Sequence, residues 1–322
     1  MASDGMRSWP ALPLAPWRGT RDTLHMWTQV VGKTLLAFSR PQNHWWHSAL
    51  RVSARGLASP GPLCDGERVL DVEFDLVDHV LVVRSQGRTV AAPLLSRTVH
   101  AFYDEYRAIL GSMGMDVDIW TTPCEVPRPV PFDRDDAPRQ YDPAAANRFW
   151  QVLRRCDEVL KSLSYDFVGK QSPVHFFWGS FDLASTRFSG RRAPERPSAD
   201  PVTREAYSHE VISFGFWPGG LTAGGVLVEE PVLYAYAAPE PPGFRDVPVR
   251  VPRGRYDPML SEFILPYEWV RTVPDPASEI RAFCEEAYLA GATLGGWDRE
   301  ALERSGAPHH EPAAALTAAP PH

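Results

Sequence analysis

Residues 124–142 read CEVPRPVPFDRDDAPRQYD, and a run this dense in proline and charge cannot continue a packed helix or strand. The chain must build its regular structure on either side of it. Before the run, Leu24, Trp27, Val31, Leu35 and Phe38 recur at spacings of three and four, which predicts an amphipathic helix over 18–38 closed by Pro41. HWWHSALRVSARG at 44–56 reads as a half-buried strand, with Trp46, Leu50 and Val52 on one face and Trp45, His47, Arg51 and Arg55 on the other. VLDVEFDL at 69–76 alternates acid and apolar residues and 80–83 continues it, which predicts an antiparallel hairpin. A helix over 97–113 carries Val99, Phe102, Tyr103, Tyr106, Ile109, Leu110 and Met113 on one stripe and ends at Gly114; a short strand over 117–121 follows.

After the run, Asp142-Pro143 supplies an N-cap and a first helical position, and Phe149, Val152, Leu153, Cys156, Leu160 and Leu163 continue the stripe. Strands are expected over 174–188, 209–217, 231–237 and 262–270, and a last helix over 277–294. The two sides read alike. Gly32-Lys33 and Gly169-Lys170 would each close a helix, His44-Trp45-Trp46 matches His175-Phe176-Phe177, and VSARG at 52–56 resembles RFSGR at 187–191. The stripe positions 99, 102, 103, 106 and 110 map onto 280, 283, 284, 287 and 291. The pattern predicts an α+β fold of two pseudo-repeated halves, each helix, antiparallel strands, helix, with a cleft or a shared sheet between them. In that reading 1–122 is the first half, 123–141 a linker, 142–303 a second half with inserted loops and strands between 191 and 262, and 304–322 a disordered tail.

Composition narrows the function. With 33 Lys+Arg against 40 Asp+Glu, a formal charge of −7, the chain lacks the basic excess that holds phosphate backbones, so nucleic acid is not an expected partner. Cys64, Cys124, Cys156 and Cys284 lie far apart, without the short spacings of a zinc module or a disulfide framework, and read as reduced thiols. The uncharged run over 212–228 contains Pro218 and five glycines and falls short of the roughly 20 apolar residues that a membrane span needs. A cytoplasmic protein is expected, with no membrane partner.

TLHMWTQVVGK at 23–33, NHWWH at 43–47, SPVHFFWGSFDLASTRFSGRRAPE at 172–195, AYSHEVISFGFWPGG at 206–220 and EFILPYE at 262–268 together resemble a bacterial family known only as domain of unknown function 5996. The resemblance runs from about residue 9 to 303. It implies a single-family chain of cytosolic bacterial type and carries no activity with it, so the chemistry rests on the residues.

Three constellations stand out. Neutral imidazole is a common metal ligand, and His175, His209 and His44, with Glu210 beside His209, could hold a divalent metal ion or act as acid and base. His175 and His209 are expected in one site, ring nitrogens about 4 to 7 Å apart, with Glu210 orienting them or accepting a proton. On a regular strand, however, Glu210 diverges from His209. In the loop RFSGRRAPER, Arg187 and Arg191 are candidates to hold a carboxylate or phosphate through their guanidinium forks. Trp178 and Trp217 belong to an aromatic cluster suited to line a small-molecule pocket, whereas Trp46, Phe177 and Phe181 read as core. Asp182 aligns with Arg51 between the halves and could pair with it. No phosphate-cradling glycine loop and no GxSxG elbow is present. The expectation is an enzyme acting on an anionic or aromatic small molecule with His175, His209 and Glu210 as catalytic groups. Its rival is a non-catalytic binding or interaction module in which the histidines are structural.

Overall fold

The computed structural model describes residues 9–304; the expected tail beyond Arg304 lies outside them. The first helix, α1 (Leu14–Phe38), is buried on nearly every side from Thr20 to Leu35. Its buried polar residues therefore need partners inside the protein. After it the chain runs through β1 (Arg51–Val52), β2 (Gly56–Ala58), β3 (Leu63–Asp65), β4 (Arg68–Asp75), β5 (Val80–Ser85), β6 (Arg88–Pro93) and α2 (Val99–Ser112). The strands form an antiparallel meander in the order β1-β2-β4-β5-β6, with β3 also on β4. The expected stripe of α2 is buried, and Phe102 stacks on Trp27 of α1 at 4.8 Å and on Phe74 of β4 at 6.4 Å.

After the proline-rich segment comes α3 (Pro143–Leu163), where the Asp142 carboxylate accepts from the Ala144 N–H as an N-cap. Then come β7 (His175–Phe177), β8 (Asp182–Arg192), the short α4 (Pro201–Ala206), β9 (His209–Trp217), the hairpin β10 (Gly220–Leu221) and β11 (Leu227–Val228), β12 (Val232–Ala238), β13 (Arg255–Asp257), β14 (Glu262–Pro266), α5 (Tyr267–Val270), α6 (Pro276–Leu294) and α7 (Arg299–Leu302). The larger sheet has the order β13-β14-β12-β9-β8-β7, antiparallel throughout. Helices α3 and α6 cover one of its faces. The fold is α+β, as expected. The first strands of the two sheets meet at one point, where Leu50 and Phe176 exchange backbone hydrogen bonds of 3.0 and 2.7 Å. The main apolar core runs from Trp27 and Phe74 through Phe149 and Phe176 to Phe283, and Phe188, Val211 and Ala238 form a smaller cluster.

Local departures from the sequence reading have physical causes. Gly32-Lys33 does not close α1. The helix passes through it because Gly32 faces the Trp178 ring, whose atoms would lie 2.4 Å from any Cβ there. The stretch 44–49 is not a strand: His44 and Trp45 have left-handed φ of 56° and 63° and form a tight turn, leaving only Arg51–Val52 as strand. Residues 117–121 form no strand. The expected strand over 174–188 is a hairpin, β7 and β8, turning at Phe181 with φ 61°. Asp182 does not pair with Arg51; its carboxylate accepts from Ser180 and Tyr234.

The proline-rich segment is not a free spacer. Phe132 is fully buried, Gln29 of α1 donates to the Cys124 carbonyl at 2.8 Å while accepting from the Cys124 N–H at 2.9 Å, and Lys33 donates to the Thr122 carbonyl at 2.6 Å. The buried polar side chains of α1 hold this segment beside the second sheet.

Candidate functional site

The uncovered face of the larger sheet floors a cavity of about 350 Å³. Alternation puts Asp182, Ala184, Thr186 and Phe188 of β8, Val211 and Ser213 of β9, and Tyr234 and Tyr236 of β12 on this one face. Gly215 of β9 lies between Ala184 and Tyr234 in register. A Cβ at Gly215 would come within 2.3 Å of the Tyr234 hydroxyl, so the glycine is what lets Tyr234 lean across β9 and donate to Asp182. Ser180 donates to the other oxygen of the same carboxylate. Thr186 and Ser213 share a hydrogen bond of 2.9 Å, and the hydroxyls of Tyr207 and Tyr236 lie 3.2 Å apart. A buried carboxylate and several hydroxyls thus form the floor.

The walls are aromatic and acidic. Trp45 and Trp46 enter from the left-handed turn, Trp178 from the β7–β8 turn, and Val202, Thr203 and Tyr207 from α4 and its end. Trp178 is fixed by its indole N–H, which donates to the Ser48 carbonyl at 2.9 Å, and by its seat on Gly32. His25 of α1 bonds the Gly179 carbonyl at 2.8 Å and braces the same turn. Glu125 comes from the proline-rich segment, its carboxylate close over Gly179. No lysine or arginine is among the lining residues.

Electrostatics follow from that composition. Burial pushes the Asp182 carboxyl up, against the pull of its two hydroxyl donors, and burial with Asp182 beside it pushes the Tyr234 phenol well up. Glu125 is exposed, yet protein mass around it, then Asp182 and Asp200, push its carboxyl up to about 7. Solvent reaching it screens part of that push. Glu262 of β14, paired with Asp257 of β13 and acting on the Tyr236 phenol, is pushed up to about 8 by burial and then by Asp182 and Asp257. The site is an unneutralised cluster of carboxyls under aromatic rings, able to hold or exchange protons near neutral pH.

A family comparison covers nearly all of the described structure: residues 9–304 match a family of unknown function, DUF5996. The chain belongs to DUF5996. No curated protein and no solved structure matches it.

In this DUF5996 chain the residues singled out by sequence are dispersed. Trp178 lines the cavity; Trp217, at the end of β9, does not. Arg187 lies on the helix-covered face, 4% exposed, donating to the Leu163 carbonyl at 2.5 Å and stacked on Tyr288 at 4.4 Å. Arg191 grips Glu210 at 2.7 Å and the carbonyls of Gly295 and Gly296 at the end of α6, a fit for a cation at a helix C-terminus. Neither arginine reaches the cavity, and Glu210, also held by Ser189, is not among its lining residues.

His175 is fully buried with both ring nitrogens unbonded, and burial followed by Arg51 lowers its pKa to about 4. Trp46 stands between it and His44, with ring centroids 5.9 Å from His175 and 5.3 Å from His44. It is His44 that approaches His209, at 6.2 Å. His44 bonds the Glu205 carbonyl through Nδ1 and accepts from the Lys170 ammonium, 3.0 Å from Nε2. A metal ion would have to displace that cation. Among the described residues no group of three His, Cys, Asp or Glu side chains could hold a metal ion, so the expected set of His175, His209 and His44 does not assemble. Sequence reading missed Glu125, Tyr207, Tyr234 and Tyr236. The available signal was the lone glycine in the strand SFGFW, a mark of close approach by another group.

Proposed function

We propose that the cavity over the second sheet binds a small organic molecule with an apolar or aromatic body and a basic nitrogen, and that Asp182 holds the nitrogen. The observation that carries this reading is a buried carboxyl with two hydroxyl donors and no cationic partner, at the floor of a cavity walled by Trp45, Trp46, Trp178 and Tyr207. Indole and phenol faces attract a cation, and the cavity is large enough for a compact ligand. An anionic ligand would meet Asp182 and Glu125 with no lysine or arginine to offset them.

Catalysis is the fuller form of the same proposal. Glu125, pushed up to about 7, and Asp182, pushed up by burial, have the character of groups that take or give a proton, and Tyr234 would steady the Asp182 charge as it changes. The test is thermal stabilisation by two probes of like shape and opposite charge, 2-phenylethylamine and phenylacetate. The amine should stabilise the protein and phenylacetate should not. Equal or stronger stabilisation by phenylacetate would overturn the proposal.

A further inference from the structure

A second cavity, of about 310 Å³, lies on the other side of Glu125, between α1, the proline-rich segment and the β10–β11 hairpin. Its character is opposite to the first. Arg18, Arg21, Arg128 and Arg139 all line it. Three acids line it as well: Asp135 is already engaged by Arg139, Asp22 accepts one bond from Arg21, and Glu125, shared with the first cavity, is the third.

Arg21 is the unusual member. It is 4% exposed, its guanidinium lies 5.4 Å over the Phe181 ring, and Nη1 donates to Asp22 at 2.9 Å. Nε and Nη2 are buried without any hydrogen-bond partner among the described residues. Those two atoms form one edge of the guanidinium, and their N–H bonds run side by side in the fork that fits two oxygens of a carboxylate or phosphate. Leaving both donors unmet inside a protein is costly, and the cost is hard to explain for a residue that only packs.

The Pro218-Gly219-Gly220 turn explains how the guanidinium is admitted. At Gly220 a Cβ would come within 2.6 Å of Arg21 Cζ, so only glycine allows the backbone to lie against it. Gly219 and Gly220 have φ of 79° and 117°, values that glycine tolerates and other residues avoid. The turn lies against Cζ, Nη1 and Nη2 of the guanidinium.

We propose that this second cavity is an anion site in which Nε and Nη2 of Arg21 take two oxygens of a carboxylate or phosphate group, with Arg18 and Arg128 on the exposed rim drawing the anion in. The proposal does not depend on the ligand of the first cavity.

Calorimetric titration of the full chain with inorganic phosphate and, separately, with acetate tests it. At least one should fill a single saturable site, and the tighter of the two names the group recognised. Arg21→Lys, which keeps the charge but loses the fork, should bind that anion at least tenfold more weakly, and Arg21→Gln should not bind it. Arg128→Gln should lose only a few-fold. If the Arg21 variants fail to fold, the assigned Arg21 Nε–H resonance of the wild-type protein should move on saturation with the same anion. Failure of both anions to bind, wild-type affinity in both Arg21 variants, or an unmoved Arg21 resonance under a bound anion would overturn the assignment.

Discussion

His175 lies fully buried among Trp46, Phe177 and the inner end of Arg51, and no group accepts or donates to its ring. Its pKa falls to about 4, through burial first and Arg51 second. An unfolded chain takes up that proton near 6.5, so the unfolded state binds more protons between pH 6.5 and 4. The contribution is present above pH 6.5 and is lost as pH falls through that window. His25, lowered to about 3, acts in the same direction over a wider window. Replacing His175 with Leu should raise stability by about 1 to 2 kcal/mol at pH 7, the scale of one unsatisfied buried polar group, and flatten the acid slope. Urea titrations at pH 7 and 5 read both effects, and a loss of stability at pH 7 would show instead that the imidazole is bonded in solution. At Gly215 the opposite sign holds. Gly215→Ala forces a methyl against the Tyr234 hydroxyl and should cost about 1 to 3 kcal/mol, the range for overpacking, while detaching Tyr234 from Asp182. An alanine variant with wild-type stability and ligand binding would separate Gly215 from the site. These single-residue roles were the least legible in the sequence. Histidine, arginine and tryptophan attract notice by type, but whether Arg187 faces a ligand or a helix depends on which side of β8 is covered.

Among the elements, those with long periodic stripes were readable: α2, α3, α6, the β4–β5 hairpin and β9 lie within a few residues of their expected ranges. Short elements were not. The turn at His44-Trp45 requires left-handed backbone from residues that seldom adopt it, and only the packing of Trp46, Phe188 and Lys170 around it shows why. Helix α1 poses a contest between two effects. Mid-helix glycine normally costs roughly 0.5–1 kcal/mol relative to alanine, so Gly32→Ala should help. Against that, its Cβ would fall 2.4 Å from the Trp178 ring, and an overpacked site costs about 1–3 kcal/mol. The clash outweighs the gain in helix propensity. Gly32→Ala should lower the melting temperature and displace Trp178 from the cavity wall, visible as a change in tryptophan fluorescence, whereas a higher melting temperature with unchanged fluorescence would contradict the seating of Trp178.

In the whole molecule, the same contacts that place the cavity join the two sheets and the helices around them. Leu50 bridges to Phe176, α3 packs on α1 and β1, and the main apolar core includes both sheets. Unfolding should therefore be a single transition, with tryptophan fluorescence and far-ultraviolet dichroism coincident in urea; two separate transitions would assign each sheet its own core. This level was partly legible. The α+β class could be read from the periodic stripes, but the sequence of the proline-rich segment did not disclose that α1 fastens it beside the second sheet, where it carries Glu125 between an acidic aromatic cavity and an arginine-lined one. The charge preferred by the first cavity decides what it binds. A bound cation stabilises ionised carboxyls, so 2-phenylethylamine should displace protons from Glu125, and its affinity should rise with pH through about 7, where Glu125 titrates. Asp182→Asn should weaken it roughly tenfold to a hundredfold, the equivalent of about 1.5 to 3 kcal/mol for a charged hydrogen bond. The most direct measurement is calorimetric titration of this amine at pH 6.5 in two buffers of different ionisation enthalpy, which counts the protons exchanged. Net proton release on binding is the predicted result; proton uptake, or binding that Asp182→Asn leaves unchanged, would contradict it.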